Sequence, residues 1–137
     1  AAVIIVNMGV LQYYDGNRGE ALRYYNRALA YVQQHGLVIQ EASLYQSIAT
    51  LYEALKEYDL AIEMYSGALR LSLEIRDSMT CAEANERIGL VYKAKNRNRE
   101  AVRFLKDAIG WYSKLNKESE AVQAELTLAK IYIQMND

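Results

Sequence analysis

Small and apolar residues recur along the chain at intervals that place them on one face of an α-helix. Three stretches show this best: "GEALRYYNRALAYV", "DLAIEMYSGALRLS" and "REAVRFLKDAIGWY". Each holds two alanines seven residues apart, and the pairs recur every 40 residues, at Ala21 and Ala28, Ala61 and Ala68, and Ala101 and Ala108. Strand signals are absent and the chain contains no proline, so the pattern predicts an all-α fold.

Other positions repeat at the same interval of 40 residues. A small residue recurs at Gly9, Ala49, Gly89 and Ala129, and an apolar residue precedes it each time. Each unit therefore reads as two helices joined by a short turn, which is an antiparallel helical hairpin. The first helices are predicted at Val3–Tyr14, Glu41–Leu55, Cys81–Ala94 and Ala121–Met135. The second helices are predicted at Arg18–His35, Tyr58–Ile75 and Arg99–Leu115.

The end of each second helix falls in one repeated column. Gly36 and Asn116 occupy it in the first and third units, where a left-handed C-terminal cap suits glycine or asparagine. Arg76 stands there in the middle unit, and Asp77 and Ser78 after it are expected to be turn residues.

The small residues predict how the hairpins pack. An alanine or glycine lets two helix axes approach closely, and a single hairpin cannot bury both of its faces. We therefore expect an α-α superhelix, or solenoid, of seven helices in one domain spanning residues 1–137. Its units are predicted at about residues 2–39, 40–79 and 80–119, with a half unit at 120–137. Since the chain lacks an initiator methionine, we expect it to be a fragment of a larger protein.

These residues resemble the tetratricopeptide repeat (TPR) family, whose pattern is a small residue, an aromatic three later, and then Ala, an aromatic and Ala on the second helix. "NMGVLQYYDGNRGEALRYYNRAL", "SIATLYEALKEYDLAIEMYSGAL" and "RIGLVYKAKNRNREAVRFLKDAI" follow it, except that Gln12 replaces the first aromatic. "TLAKIYIQMND" matches the first helix of a fourth unit, so the resemblance covers about three and a half repeats.

The chain departs from the usual pattern in two ways. Its period is 40 residues rather than about 34, and the proline that usually closes the second helix is missing. Versions of the family with this longer period resemble LGN/Pins-type adaptors, and also bacterial peptide-sensing regulators.

The resemblance implies a protein–protein interaction scaffold or adaptor whose first helices line a concave surface that binds a peptide or a partner helix. The alternative is a peptide-sensing regulatory domain of a larger signalling or transcription-regulating protein. Carried over position by position, the partner-binding residues are Asn7, Val10, Tyr13, Tyr14, Gln46, Ser47, Thr50, Glu53, Glu83, Glu86, Arg87, Leu90, Lys93, Gln123, Leu126, Thr127, Lys130 and Ile133. The basic and amide residues that clamp chaperone C-terminal carboxylates are missing apart from Asn7, which argues against that ligand.

Charge and composition narrow the function further. The net charge of −1 draws the chain neither to nucleic acid nor to a membrane surface, and no apolar run approaches the ~20 residues of a spanning helix. A basic cluster surrounds one turn, at Lys93, Lys95, Arg97, Arg99, Arg103 and Lys106. We interpret it as a solvated turn partly neutralised by Glu100 and Asp107, with an acidic partner or nucleic acid as the alternative.

Few residues suggest chemistry. His35 is the single histidine and has no visible catalytic or metal partner, while Cys81 begins a predicted helix, where a lowered pKa is conceivable but a packing role is favoured. We therefore predict no enzyme activity, no metal and no cofactor. A lone thiol and the lack of Asn-x-Ser/Thr acceptors suit a cytoplasmic location.

The fourth unit lacks its second helix, so its first helix is expected to expose apolar surface. The residues concerned are Leu128, Ile131, Tyr132 and Met135. We expect self-association through this C-terminal end.

Overall fold

A computed structural model describes residues 2–136, and within them it contains seven α-helices and no strand. The helices are α1 (Ala2–Tyr14), α2 (Arg18–Gln34), α3 (Val38–Ala54), α4 (Tyr58–Glu74), α5 (Ser78–Ala94), α6 (Asn98–Lys114) and α7 (Glu118–Met135). The prediction of an all-α solenoid with seven helices is confirmed. We call α1, α3, α5 and α7 first helices, and α2, α4 and α6 second helices.

One turn geometry joins all successive helices. After α3, for example, the N–H of Lys56 donates to Glu53 O at 3.0 Å and that of Glu57 donates to Tyr52 O at 2.8 Å. This bond pair is the Schellman motif, which needs a left-handed residue after the helix. The left-handed residues of the six turns are Gly16, Gly36, Lys56, Arg76, Asn96 and Asn116. Because each turn has the same length, the helices after α1 begin at 20-residue intervals, from residue 18 to residue 118.

The predicted starts of three first helices were wrong by three residues. Helices α3, α5 and α7 begin at Val38, Ser78 and Glu118 rather than at Glu41, Cys81 and Ala121. The reason is that the residue after each left-handed position, namely Leu37, Asp77 or Lys117, already occupies the N-cap position of the next helix, so no longer linker exists.

The turn between α4 and α5 also differs from its prediction. Arg76 is itself the left-handed residue, with φ of 59°, although its side chain makes that conformation costly. Asp77 caps α5 by accepting a hydrogen bond from the Thr80 N–H at 3.2 Å. Ser78 therefore lies inside the helix and not in the turn.

Small residues form the contacts within each hairpin, as predicted. A Cβ on Gly9 would lie 2.8 Å from Tyr25 Cε1, and a Cβ on Gly89 would lie 2.9 Å from Leu105 Cγ. Ala49, in the same column, is fully buried. The alanine pairs of the three second helices are also fully buried, so each second helix lies close to its neighbours.

Each helix packs chiefly on the helices that precede and follow it in the sequence. The buried residues form a series of clusters that link one hairpin to the next, rather than one central core. This is the organisation of a repeat protein, in which each unit contacts only its neighbours.

The last helix exposes less apolar surface than predicted. Tyr132 and Met135 are exposed and Leu128 is half-buried, but Ile131 is fully buried, so the prediction for Ile131 was wrong. Ile131 packs in a cluster with Ala101 and Leu105 of α6. Ile131 therefore lies on the face of α7 that packs on α6.

Candidate functional site

An apolar cavity opens between α1 and α3 near the start of the chain. It has a volume of about 210 Å³. Its apolar lining comes from Ala2, Val3, Val6, Val32 and Leu44, and its polar lining from Asn7, Gln40, Ser43 and Ser47. Apolar walls with a few polar groups are typical of sites that bind a ligand side chain and fix its orientation.

A second recess lies beside the first, at the other end of the same two helices. It has a volume of about 180 Å³ and is lined by Val10, Tyr13, Tyr14, Tyr25, Ser47, Thr50 and Leu51. Ser47 contributes to both spaces, so the two form one continuous strip, which we call the α1–α3 groove. Val6 and Val10 are one helical turn apart, which separates the two recesses by roughly 6 Å.

A different arrangement connects α3, α4 and α5. Arg87 Nη2 donates to both carboxylate oxygens of Glu53, at 2.9 and 3.1 Å, and Arg87 Nε donates to Tyr65 Oη at 3.3 Å. Tyr65 Oη in turn donates to Glu53 Oε1 at 3.0 Å and lies 3.1 Å from Thr50 Oγ1. Burial raises the pKa of Tyr65, although the hydrogen bonds with Thr50 and Arg87 oppose this shift. Glu53 and Arg87 therefore form an ion pair with each other.

The next hairpin has a second internal contact. Tyr112 Oη on α6 donates to Glu86 Oε1 on α5 at 2.9 Å. Burial raises the pKa of Tyr112 well above its usual 10.0, and the hydrogen bond to Glu86 and the charges of Glu83 and Glu120 raise it further. The buried, neutral phenol of Tyr112 thus lies near three carboxylates, those of Glu83, Glu86 and Glu120.

The structure leaves every predicted partner-binding residue at least partly exposed. It brings Val10, Tyr13, Tyr14, Ser47 and Thr50 together in the second recess, and Asn7 and Ser47 in the first. The predicted residues of α7 line none of the cavities described above. These are Gln123, Leu126, Thr127, Lys130 and Ile133.

Nine groove residues were not among the predicted ones: Ala2, Val3, Val6, Tyr25, Val32, Gln40, Ser43, Leu44 and Leu51. The repeat contained a signal for three of them, because Val6 shares a column with Gln46 and Ser43 shares one with both Val3 and Glu83. Gln40 lies in the part of α3 that precedes its predicted start, so its position depended on the turn geometry.

Two residues of the basic cluster form ion pairs, one of them with a carboxylate that the sequence did not suggest. Lys95 pairs with Asp59, which lies on α4, and Arg97 pairs with Glu100 at 3.3 Å. Asp59 is 36 residues from Lys95 in the sequence, so the pattern of nearby charges did not show this contact.

The residues considered for chemistry have structural contacts. His35 stacks on Tyr31, and its Nδ1 lies 2.8 Å from the Tyr31 carbonyl oxygen. Cys81 is buried, and burial together with the charge of Asp77 raises its pKa, which agrees with the favoured packing role and not with a lowered pKa. Residues 2–136 contain no group of His, Cys, Asp or Glu side chains arranged to hold a metal ion. No helix in this range is long and apolar enough to span a bilayer.

Comparison with solved structures supports the fold. Aspartyl phosphate phosphatase F from Bacillus subtilis superposes with a TM-score of 0.90 at 20% identity, over 98% of this chain and 36% of that one. The apo form of RapI gives a TM-score of 0.91 at 21% identity, over 98% and 38%. A signal transduction ATPase with a tetratricopeptide repeat sensor from Pyrococcus horikoshii gives 0.82 at 23% identity, over 99% and 21%.

The chain thus spans well under half the length of these three proteins. No match was found among curated protein sequences. The family model described as tetratricopeptide repeat matches residues 40–114, which is more than half of the chain. Together with the stacked hairpins and their buried small residues, this match shows that the chain belongs to the tetratricopeptide repeat family.

Proposed function

We propose that the chain is a non-catalytic protein–protein interaction module, a scaffold or adaptor that binds a peptide or partner helix along its first helices. The observation that carries this proposal is the α1–α3 groove, which exposes apolar side chains between two rigid helices. A surface already held in shape by packing loses little entropy when a partner docks, so a modest contact area is enough for binding.

The groove also supports a particular mode of recognition. Two apolar recesses roughly 6 Å apart match the spacing of alternate side chains in an extended peptide, or of residues one turn apart in a helix. The amides of Asn7 and Gln40 and the hydroxyls of Ser43 and Ser47 lie at the apolar walls, where they can bind the partner's backbone. Binding is then governed by apolar side chains and not by charge.

The charged residues of the following units also favour binding through apolar side chains rather than through charge. Glu53 and Arg87 already bind each other, and Glu86 accepts from Tyr112, so a partner would have to replace these internal bonds. We therefore assign the main contact to Val6, Val10 and Tyr13, and a smaller one to the charged predicted residues.

The alternative is a peptide-sensing regulatory domain. It is supported by the similar fold of the signal transduction ATPase, whose name describes its tetratricopeptide repeats as a sensor. The 40-residue period resembles LGN/Pins-type adaptors and bacterial peptide-sensing regulators alike, so it does not separate the two functions. A cytoplasmic location and self-association through α7 remain predictions.

Selection of peptides from a random display library against the whole chain tests the proposal. Isothermal titration calorimetry then measures the affinity of a selected peptide for the native chain and for Val6→Glu. A glutamate in the first recess would have to lose its bound water when the peptide docks, so we expect affinity to fall at least about tenfold.

Leu73→Glu is the matched control, since it places the same charge at an exposed apolar position on α4, outside the groove. It should retain the native affinity. The proposal fails if no peptide is enriched, or if Val6→Glu binds the selected peptides as well as Leu73→Glu does.

Small-angle scattering distinguishes the two functions. A scaffold should keep its dimensions when the selected peptide is added, because its helices are already in place. A sensing domain should change its radius of gyration, because it must transmit binding to another domain. An unchanged scattering curve at saturating peptide would exclude the sensing alternative.

A further inference from the structure

Helix α6 carries a face of basic side chains that is separate from the α1–α3 groove. Its residues are Arg99, Arg103, Lys106 and Lys114, and all four are exposed. At 100° per residue they lie within about 80° of one another round the helix, so they share one face. Within residues 2–136 none of the four forms an ion pair. We call this surface the basic α6 face.

The same face of a second helix is exposed in every unit. The equivalent residues, all of them exposed, are Gly19, Arg23, Asn26 and Gln34 of α2 and Asp59, Glu63, Ser66 and Glu74 of α4. Helices α4 and α6 each pack on the first helix before them and on the first helix after them. The exposure of this face is therefore a property of the inner units and does not depend on either end of the chain.

The charge of this face changes sign between neighbouring units. At the four equivalent positions α6 has four basic residues, whereas α4 has three acidic residues and a serine. The two helices are neighbours, because Phe104 of α6 packs on a cluster that contains Ala61 and Tyr65 of α4. A nucleic acid or a flat anionic bilayer would contact both helices, and the carboxylates of α4 would repel it. An acidic peptide that lies along α6 alone avoids this repulsion, so the charge pattern favours a peptide.

The basic α6 face contains a hollow of about 250 Å³, lined by Lys106, Asp107, Gly110, Trp111 and Lys114. It is open because Gly110 has no side chain, and a Cβ there would meet nothing within 4 Å. A glycine inside a helix costs stability, and here no neighbouring helix requires it. The Trp111 ring is an apolar wall, and Lys114 Nζ lies 5.2 Å from the centre of that ring. The hollow therefore suits an aromatic side chain, which can lie against Trp111 and the stems of the lysines.

The spacing of the two lysines defines the pattern of the partner. Gly110 lies one helical turn from both Lys106 and Lys114, which is a rise of about 6 Å in each direction. Alternate side chains of an extended peptide point to one side and are about 7 Å apart. A peptide with an aromatic side chain in the hollow therefore brings the residues two positions before and two positions after it to the lysines. We propose that the basic α6 face binds an extended acidic segment of a partner protein, with an aromatic residue in the hollow and a carboxylate two positions away on each side.

The other charges of the face set the strength and direction of binding. Arg99 and Arg103 extend the face beyond Lys106, so a further carboxylate on that side also has a basic partner. Asp107 is the one carboxylate in the lining of the hollow, and Asp107→Asn should strengthen binding. Exposed ion pairs contribute little singly, so the aromatic residue is needed to fix the register of the peptide. No residue of α6 lines the α1–α3 groove, so the two surfaces bind independently.

A labelled peptide in which serines alternate with glutamates around a central phenylalanine is a direct probe. Its binding to the whole chain is measured by fluorescence anisotropy, and saturable binding that weakens with added salt is expected. Lys106→Glu/Lys114→Glu should bind the probe at least about tenfold more weakly, since two attractive charges become repulsive. Arg27→Glu/Arg70→Glu is the matched control, because it makes the same change of net charge at exposed positions on α2 and α4. It should bind the probe nearly as well as the native chain does.

A further variant tests the hollow separately from the charges. Gly110→Gln fills the hollow with a polar side chain, and it should fold because nothing lies within 4 Å of the new Cβ. It should bind the phenylalanine peptide at least about threefold more weakly, since the ring would no longer be buried. Its affinity for the same peptide with a central alanine should equal that of the native chain. Val6→Glu, in the α1–α3 groove, should bind the probe normally, which separates this test from that of the groove.

Absence of saturable binding, or equal binding of the probe by the two double variants, would overturn the proposal. Equal affinity of the native chain and Gly110→Gln for the phenylalanine peptide would also contradict it, because the hollow would then hold no side chain. A labelled oligothymidylate and vesicles containing phosphatidylserine test the other anionic partners. If either binds more tightly than the probe and loses that binding in Lys106→Glu/Lys114→Glu, the basic α6 face serves nucleic acid or membrane instead of an acidic peptide.

Discussion

Single residues set how closely the helices of a hairpin approach. Gly89 lies against Leu105, which is fully buried and branched at the atom nearest to a new Cβ. Gly110, by contrast, is also helical, but a Cβ there would meet nothing within 4 Å. The two glycines therefore separate the effect of contact from the effect of helix propensity.

Alanine substitutions at these two glycines should change stability in opposite directions. Gly110→Ala should raise the free energy of unfolding by about 0.5–1 kcal/mol, because alanine favours the helix. Gly89→Ala gains the same term but must displace Leu105, so a net loss of about 1 kcal/mol is expected. Urea unfolding followed by circular dichroism measures both. Equal stabilisation by the two substitutions would show that the α5–α6 contact has room for a methyl group.

At the scale of elements, hydrogen bonds between side chains help to fix how one helix lies against another, which the connecting turns alone do not fix. Tyr112 links α6 to α5 through Glu86, and Arg87 links α5 to α3 through Glu53. The Tyr112 contact also makes stability depend on pH. Its folded pKa lies above the ordinary 10.0, so the folded chain holds this proton more tightly than the unfolded chain does. The resulting stability is present below pH 10 and is lost as the pH rises above it.

Replacing Tyr112 by Phe should therefore reduce the loss of stability at high pH. The decrease of unfolding free energy with rising pH should become smaller but not vanish, because burial also raises the pKa of Tyr25 and Tyr65. At neutral pH the variant should lose about 1 kcal/mol with the hydrogen bond to Glu86. Unfolding free energies from about pH 8 to about pH 11 provide the measurement. Tyr14→Phe, at an exposed tyrosine, is the control, and identical slopes for the two variants would refute the assignment.

At the scale of the whole molecule, stability is distributed along a line of hairpins. Each inner helix packs on two neighbours in the sequence, whereas α1 and α7 each pack chiefly on one. In such an arrangement the ends open more readily than the middle.

Native-state hydrogen exchange should show this gradient. Amides in α1 should exchange faster than their equivalents in α5, which has the same position in its unit but helices on both sides. Mass spectrometry of peptic fragments measures the difference. Equal protection of α1 and α5 would mean that the chain unfolds as one cooperative block.

The sequence predicted much of the fold because its signals are local. Helical spacing and the recurring small residues identified seven helices and the positions buried within each hairpin. The errors came where one residue serves two elements. Leu37, Asp77 and Lys117 each end a turn and occupy the N-cap position of the next helix, so three helices start earlier than predicted.

The candidate site was less predictable. Val10 and Tyr13, which the sequence predicted as contact residues, line the second recess, but the sequence did not show that Glu53 would bind Arg87, 34 residues away. It also predicted that Ile131 would be exposed, although α6 covers it. Such contacts depend on the rotation of one helix against the next, and no local pattern specifies that rotation.

The sequence alone thus determined the type, number and repeat of the helices, because helix periodicity and turn chemistry act over a few neighbouring residues. Only the tertiary structure decided which side chains meet between units, which charges are already paired, and which apolar surfaces stay open. The α1–α3 groove belongs to this second group. It arises because the stacking of α1 and α3 leaves one face of each helix uncovered, and that follows from the arrangement of neighbouring helices rather than from the helix itself.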